Sequence, residues 1–355
     1  MAAVRILDLD LPPDVFAIVM ATGIVSVAAS DHQYWRIGIV LAAIASVVFV
    51  VLTIGLGLRI LTRSGVIVAQ STDPDVALRM FTFVAGASVL GVVWRRYPIA
   101  VWIVGALSLI GWLVLIPLGA RDVHSRPRTD LRDHAHGAWL LVSVGTSGLA
   151  TTAADLAIIH GSRPLVMIGV ACWLLAMVLY VAVTWLIAWR VVVAPFRPDA
   201  VTPDSWILMG ALAIATLAGT HLLQATDELG SLQWLADAVG PVTLVLWIVG
   251  SLWIPVLLYA EIWRVDQRAG SLRFAGVWWS AVFPLGMYSS ATWMTGIELD
   301  MPALATISLV FFWIAATVWA LVTVGLTQFA VMSWRRGRAA GTPSRVATAG
   351  DDMEG

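Results

Sequence analysis

The stretch GVWWSAVFPLGMYSSATWMTG, residues 276–296, decides how the rest of the chain is read. About 21 residues at roughly 1.5 Å each are enough to cross the hydrocarbon core of a bilayer. The indoles of Trp278 and Trp279 stand at one end and that of Trp293 near the other, and indoles favour the two membrane–water interfaces. In the middle, Phe283 precedes Pro284. Proline removes a backbone donor and bends a helix, which a membrane tolerates where neighbours or water satisfy the freed carbonyl. Gly286, Ser289, Ser290, Ala291 and Thr292 lie around that point and are small or hydroxylated. A lipid-facing helix has no use for them, so this segment is expected to pack closely or to border a polar path.

The rest of the chain agrees. Of 355 residues, 60% are apolar and 12% charged, and the mean hydropathy is +0.89. That excludes an ordinary soluble domain and indicates an all-α polytopic membrane protein. Ten apolar segments can be marked, at 13–30, 36–61, 74–94, 98–119, 137–159, 165–189, 203–224, 239–263, 276–296 and 302–332. Residues 1–332 thus read as one ten-helix transmembrane domain, and the polar, Gly/Ala-rich residues 333–355 as a disordered cytoplasmic tail. The first ten residues are acidic and lead to no small-residue cleavage site, so the first segment is expected to stay in the mature protein. The single cysteine, Cys172, lies in an apolar run and reads as a packing residue.

All 21 basic residues are arginine, and their distribution sets the orientation. With ten spans, seventeen arginines fall on the side of the two termini. Only Arg36, Arg95, Arg96 and Arg163 fall on the other. Positive charge is retained on the cytoplasmic side, so a multi-pass protein of the cell membrane with both termini cytoplasmic is expected.

Odd and even segments differ. The even ones carry bulky tryptophans, among them Trp112, Trp173, Trp247, Trp313 and Trp319, and read as lipid-facing. The odd interiors (MATGIVS, FVAGASVLG, VSVGTSGLATTA, ALAIATLAGTH, PLGMYSSAT) are small and hydroxylated. The expected architecture is five helical hairpins, with odd helices forming an inner pore and even helices an outer ring. Three odd segments begin alike, at Pro12-Pro13-Asp14, Asp73-Pro74-Asp75 and Thr202-Pro203-Asp204. Helix capping explains each start, and their repetition suggests an internal repeat of helix pairs.

Hydroxyl ridges at i, i+4 spacing run along three odd segments. They comprise Thr22, Ser26 and Ser30; Ser143, Ser147 and Thr151, with Asp155 a turn further on; and Thr216 and Thr220, followed by Gln224. Such hydroxyls either bond back to the preceding turn and glue helices together or line a pore. No arginine falls in the middle third of any odd segment, which suits an anion crossing a weakly polar conduit better than one held in a charged pocket. His221 is the one imidazole inside an odd segment, a candidate for proton coupling or a satisfied interhelical donor. The run Asp130 to His136, with His124 nearby, matches no zinc spacing and reads as a solvated cytoplasmic loop. Phosphate-binding, dinucleotide and hydrolase motifs are absent. The sequence therefore calls for no catalytic residue, metal, cofactor or nucleic acid.

Two stretches, LPPDVFAIVMATGIVS at 11–26 and WWSAVFPLGMYSSAT at 278–292, resemble the tellurite-resistance/dicarboxylate transporter family. That family includes fungal malate and sulfite transporters and plant guard-cell slow anion channels. The resemblance implies ten helices in five hairpins, a pore through each subunit and a homotrimer. It also implies a phenylalanine gate, which falls on Phe283 with Pro284 beside it. Phe16, Met287 and Ser290 complete the pore-lining candidates. The expected activity is channel-like transport of a small anion, such as tellurite, sulfite, nitrate, chloride or a dicarboxylate. The alternatives are a proton-coupled carrier of malate-like four-carbon dicarboxylates and, from another class, a membrane-embedded sensor or enzyme using the histidine-bearing loop. The expected partners are those anions and the lipid bilayer.

Overall fold

The computed structural model of the chain describes residues 12–70, 74–193, 202–230, 232–267 and 276–340. The described residues contain helices and no strand, as a chain in hydrocarbon must when its backbone groups can bond only to one another. The helices are α1 (Ala17–Asp31), α2 (Trp35–Gln70), α3 (Pro74–Arg79), α4 (Phe81–Val93), α5 (Pro98–Ser125) and α6 (Arg128–His134). They continue as α7 (Leu141–His160), α8 (Arg163–Val193), α9 (Ile207–Leu229), α10 (Gln233–Gln267), α11 (Trp279–Glu298) and α12 (Pro302–Ala340). Among the described residues, eight spans are long and apolar enough to cross a membrane. The expected first segment forms the shorter α1. The ninth forms α11, which is long enough but whose hydroxyls and glycines keep it outside that set.

Several expected segments differ in detail: α2 and α5 run on to Gln70 and Ser125, and α10 starts earlier, at Gln233. The third is divided at Met80 into α3 and α4, and α12 continues to Ala340, past the expected end at 332. The rest of the tail lies outside the described residues. α11 runs without a break through Pro284. Short 3-10 turns, Gly137–Leu140, Pro203–Trp206 and Gly276–Trp278, lead into α7, α9 and α11.

Burial follows the odd–even alternation. In the apolar 18-residue stretch of the spans Asp75–Val93, Gly137–His160 and Pro203–Leu229, 67%, 89% and 89% of the residues are buried. In the spans built on α2, α5, α8, α10 and α12 the share is between 22% and 33%. The exposed side chains of those five are largely Ile, Val and Leu, including Ile39, Ile99, Val192, Leu252 and Leu321. An apolar surface of that extent belongs in lipid.

The neighbour relations have a repeating order. α1 packs on α4, α4 on α7, α7 on α9, α9 on α11, and α11 on α1, so the contacts close on themselves. Each remaining long helix packs on its hairpin partner and on the next member of that circuit: α2 on α1 and α4, α5 on α4 and α7, α8 on α7 and α9, α10 on α9 and α11, α12 on α11 and α1.

The tryptophans of the even segments mark these second contacts, and here the lipid-facing expectation is corrected. Trp112 of α5 donates its indole N–H to Thr146 of α7 at 2.9 Å. Trp173 of α8 donates to the Ala215 carbonyl of α9 at 2.8 Å. Trp247 of α10 donates to Thr292 of α11, and Trp319 of α12 to Thr22 of α1, both at 3.0 Å. An indole N–H has no partner in hydrocarbon, so these rings turn inward, whereas Trp102, Trp185 and Trp313 remain exposed.

Glycine sets the spacing of the circuit. A Cβ added to Gly210 of α9 would lie 2.8 Å from the ring of Pro284, and one added to Gly148 of α7 would lie 2.6 Å from Ser88 Cβ on α4. The proline ring cannot rotate away, so Gly210→Ala is expected to cost about 1–3 kcal/mol by overpacking. Gly55→Ala, where nothing lies within 4 Å, should be neutral or slightly stabilising. Thermal unfolding of the two variants in detergent checks this, and equal midpoints would contradict it.

Candidate functional site

Three spaces lie along α1, α4, α7, α9 and α11 and the residues that lead into them, in the same order wherever a helix reaches them; α7 reaches only the first two. The first, about 270 Å³, lies where these helices begin and is lined by Asp14, Arg79, His136, Leu141, Asp204 and Ser280 among others. The second is a void of only about 10 Å³ bounded by Ile24, Ser88, Val89, Val92, Gly148, Thr151, Ile214, Leu217 and Met287. All five helices contribute to it. The third, again about 270 Å³, lies toward their ends and includes Ser26, Ser30, Asp31, Arg95, His221 and Ser290. On α11 the sequence of spaces reads Ser280, Met287, Ser290, and along α1 and the turn before it, Asp14, Ile24, Ser26. A void that small holds at most about one water, and its wall is mainly aliphatic.

Phe283 falls between Ser280 and Met287, inside the packed stretch that separates the first cavity from the void. It is 2% exposed and among the largest fully buried side chains. Pro284 beside it abuts Gly210 of α9. The hydroxyl candidates divide. Ser26 and Ser290 line the third space, Thr151 and Met287 the second. Ser26 Oγ donates to the Gly38 carbonyl of α2 at 2.8 Å, and Ser143 Oγ to the Ala176 carbonyl of α8 at 2.8 Å. Thr22 accepts the Trp319 indole. Thr151, Thr216 and Thr220 bond back to carbonyls of their own helix, and Thr216 and Thr220 line none of the three spaces. Ser147 is buried with its Oγ unpartnered. Phe16 packs edge-on against Phe49 and Phe83, at 5.9 and 5.1 Å between ring centres, in a cluster with α2 and α4.

His221 has a partner on the next helix: its Nδ1 lies 2.7 Å from Asp155 Oδ1, with the two side chains 1% and 7% exposed. Asp155 continues the α7 ridge one turn beyond Thr151, so the spacing that suggested a polar face also marked the partner.

The solvated-loop reading of His136 is corrected. Its Nε2–H donates to Asp75 Oδ1 at 2.6 Å and its Nδ1–H to Asp204 Oδ2 at 2.9 Å. Asp204 Oδ2 also accepts the Ala138 N–H at 2.9 Å, at the start of the turn into α7. Arg79 extends the chain of alternating charge by pairing with Asp75 at 3.3 Å and Asp14 at 2.7 Å. The three Pro–Asp starters and His136 are therefore mutual partners across the starts of four helices. The repetition of those starters was the available signal; helix capping explained it too easily.

Burial opposes charge on His136, but the hydrogen bonds and charges of Asp204 and Asp75 outweigh it and lift its pKa from 6.5 to about 9. A histidine raised in the folded state contributes stability fully below about 6.5, and that stability is lost as pH rises through about 9. The thermal midpoint of the purified protein should fall across that window, by the equivalent of a few kcal/mol at most. His136→Gln should start lower at pH 6.5 and show a flatter profile. An unchanged slope in the variant would assign it to other groups.

Buried helices enclosed by helices with lipid-compatible surfaces, and polar cavities on either side of a narrow waist, define a polytopic membrane transport protein. The family described as voltage-dependent anion channels, SLAC1, matches residues 10–327, and the chain belongs to that family. Its similarity to the tellurite-resistance/dicarboxylate transporter group is the same relationship. The chain is 35% identical over 164 residues to the uncharacterized membrane protein Rv1735c of Mycobacterium tuberculosis, covering 46% of this chain and 83% of that protein. It is 20% identical over 267 residues to the uncharacterized transporter MJ0762 of Methanocaldococcus jannaschii, covering 72% and 73%. A second transporter of that organism, MJ0576, is 19% identical over 231 residues, covering 64% and 63%.

Proposed function

We propose that the protein conducts small anions across the cell membrane through a path enclosed by α1, α4, α7, α9 and α11, without catalysis. One observation carries this reading: five helices contribute side chains to a single narrow void with a polar cavity on either side. In this reading ten segments cross the membrane, the five enclosing helices are the inner pore, and the other five form the outer ring. Each copy carries its own path within a homotrimer. An aliphatic waist excludes water and so blocks a hydrated ion without a charged barrier. Phe283 lies on α11 within roughly 10 Å of helix that joins the first cavity to the void, and we assign it as the gate, with Pro284 held against Gly210 to fix its position. The cargo class is a small anion such as nitrate, chloride, sulfite, tellurite or a dicarboxylate. Permeation of a proton with a malate-like dicarboxylate is a second reading, favoured by the buried His221–Asp155 pair.

Anion flux into liposomes tests the gate. Phe283→Ala should raise flux severalfold while the protein stays folded, because the ring's volume is removed from the narrow stretch. If the ring only packs, truncation costs about 3–5 kcal/mol of stability and flux does not rise. Folded Phe283→Ala protein that conducts no more than the parent refutes the gate.

The arginine asymmetry supports an orientation with the starts of the inner helices and both termini in the cytoplasm. A Thr342→Cys variant, with Cys172 replaced by Ala, should resist membrane-impermeant thiol reagents on intact cells and react after lysis. Labelling from outside reverses the orientation.

A further inference from the structure

The first cavity lies where the five buried helices begin, and each contributes to its wall from its first turn or from the residues just before it. Asp14 precedes α1, Arg79 precedes α4, Ala138 leads into α7, Asp204 leads into α9, and Ser280 lies in the first turn of α11. A helix N-terminus carries partial positive charge, so five of them around one space favour an anion there. The formal charges leave that sign in place. Asp14 and Asp204 on the wall, and Asp75 behind it, are matched by Arg79, His136 and Arg190. His136 counts as a cation because both of its ring nitrogens donate to carboxylates. The two carboxylates on the wall are already engaged, Asp14 with Arg79 at 2.7 Å and Asp204 with His136 at 2.9 Å.

Two donors on this wall remain unengaged. Ser280 is 9% exposed and lines the cavity, and its hydroxyl has no hydrogen-bond partner among the described residues. Arg190 reaches the same space from α8. Its Nη1 donates to the Ala135 carbonyl at 2.9 Å, and among the described residues it has no ion-pair partner. Nε–H and an Nη2–H, which lie side by side on one edge of the guanidinium, are left over. A buried hydroxyl and a cationic edge without partners cost free energy that a ligand accepting from both would recover.

We propose that this cavity binds one small planar oxygen anion, a carboxylate or nitrate, with the Nε–Nη2 edge of Arg190 donating to two of its oxygens and the Ser280 hydroxyl donating to one. The inference rests on the anion-transport reading above and adds a binding site and its preference. Parallel N–H donors match two oxygens held in one plane, whereas a spherical halide cannot meet both donors with the same geometry. At roughly 30 Å³ per water, the cavity has room for such an anion with part of its hydration shell. Ser280 precedes Phe283 by three residues, about one helical turn. An anion held there stands next to the narrow stretch, with some of its water already exchanged for protein donors.

Isothermal titration calorimetry of the purified full-length protein tests this, with sodium nitrate, sodium acetate, sodium chloride and sodium phosphate as probes. The expected result is saturable binding of nitrate or acetate, roughly tenfold tighter than chloride, the difference that one hydrogen bond to a charged group makes. Ser280→Ala should weaken that binding roughly tenfold for the same reason. Arg190→Lys keeps the charge but loses the flat edge, and should erase most of the preference over chloride. Should Arg190→Lys fail to fold, Ser280→Ala and the wild-type preference decide the matter alone. Absence of saturable binding, chloride bound as tightly as the oxygen anions, or affinities unchanged in either folded variant overturns the site. Phosphate bound more tightly than nitrate and acetate would mark a phosphate site, as for a lipid headgroup, and overturn the planar class. Liposome flux on the same preparation separates this site from the transport reading. Flux without saturable binding sinks the site and leaves transport standing, whereas binding with the expected variant pattern and no flux does the reverse.

Discussion

Hydrocarbon offers a backbone no hydrogen-bond partner and gives helices no hydrophobic reason to associate, so close van der Waals approach must hold them together. That constraint accounts for the composition of the buried helices. Gly148 lets α7 meet Ser88 of α4, Gly210 lets α9 meet Pro284 of α11, and a Cβ on Gly286 would sit 2.9 Å from Ile24 of α1. Each of these glycines lies on an element of the closed circuit, and each removes the volume that would otherwise spread the circuit apart. The narrow void is the residue of this packing. Its size is set by the few aliphatic side chains that the small residues leave pointing inward.

Polarity is distributed to suit that arrangement. The starts of four buried helices are tied by alternating charges from Asp14 through Arg79, Asp75 and His136 to Asp204. Acidic residues suit helix N-termini, and here they also find cations on neighbouring helices. Deeper in, most hydroxyls are satisfied by carbonyls of the preceding turn, which lets a polar side chain exist in a dry setting without specifying a partner. Exceptions such as Ser147, Ser290 and Asp155 Oδ2 are therefore informative, because their bonding capacity is not spent on the helix itself.

The alternation of small and bulky segments, read from residues such as Gly86, Gly148 and Gly210 against the exposed aliphatic runs of α5 and α8, foretold which helices are buried. It did so because helix spacing and lipid contact select for different side-chain volumes. The i, i+4 ridges were less decisive. A serine or threonine that bonds to its own helix and one that faces a cavity have the same spacing, so Thr216 and Thr151 could not be told apart. Tryptophan misled for a related reason. Trp173 is large and apolar enough for lipid, yet its single N–H requires an acceptor, and only the neighbouring helix supplies one. His136 was hidden by distance in the chain. Its partners Asp75 and Asp204 lie 61 and 68 residues away, and nothing local in the loop announces them.

The indole bonds also have a mechanical consequence. Trp112, Trp173, Trp247 and Trp319 each fasten a helix with a lipid-compatible surface to the buried helix beyond its own hairpin, much as hoops cross the joints between staves. Displacing one stave outward strains the joints on both sides of it, so the framework resists local widening and yields only by moving several helices together. Side chains held inside the framework are free of that coupling. A ring or a hydroxyl there can change rotamer at the expense of its own contacts alone, which leaves the interior adjustable while the wall around it stays fixed.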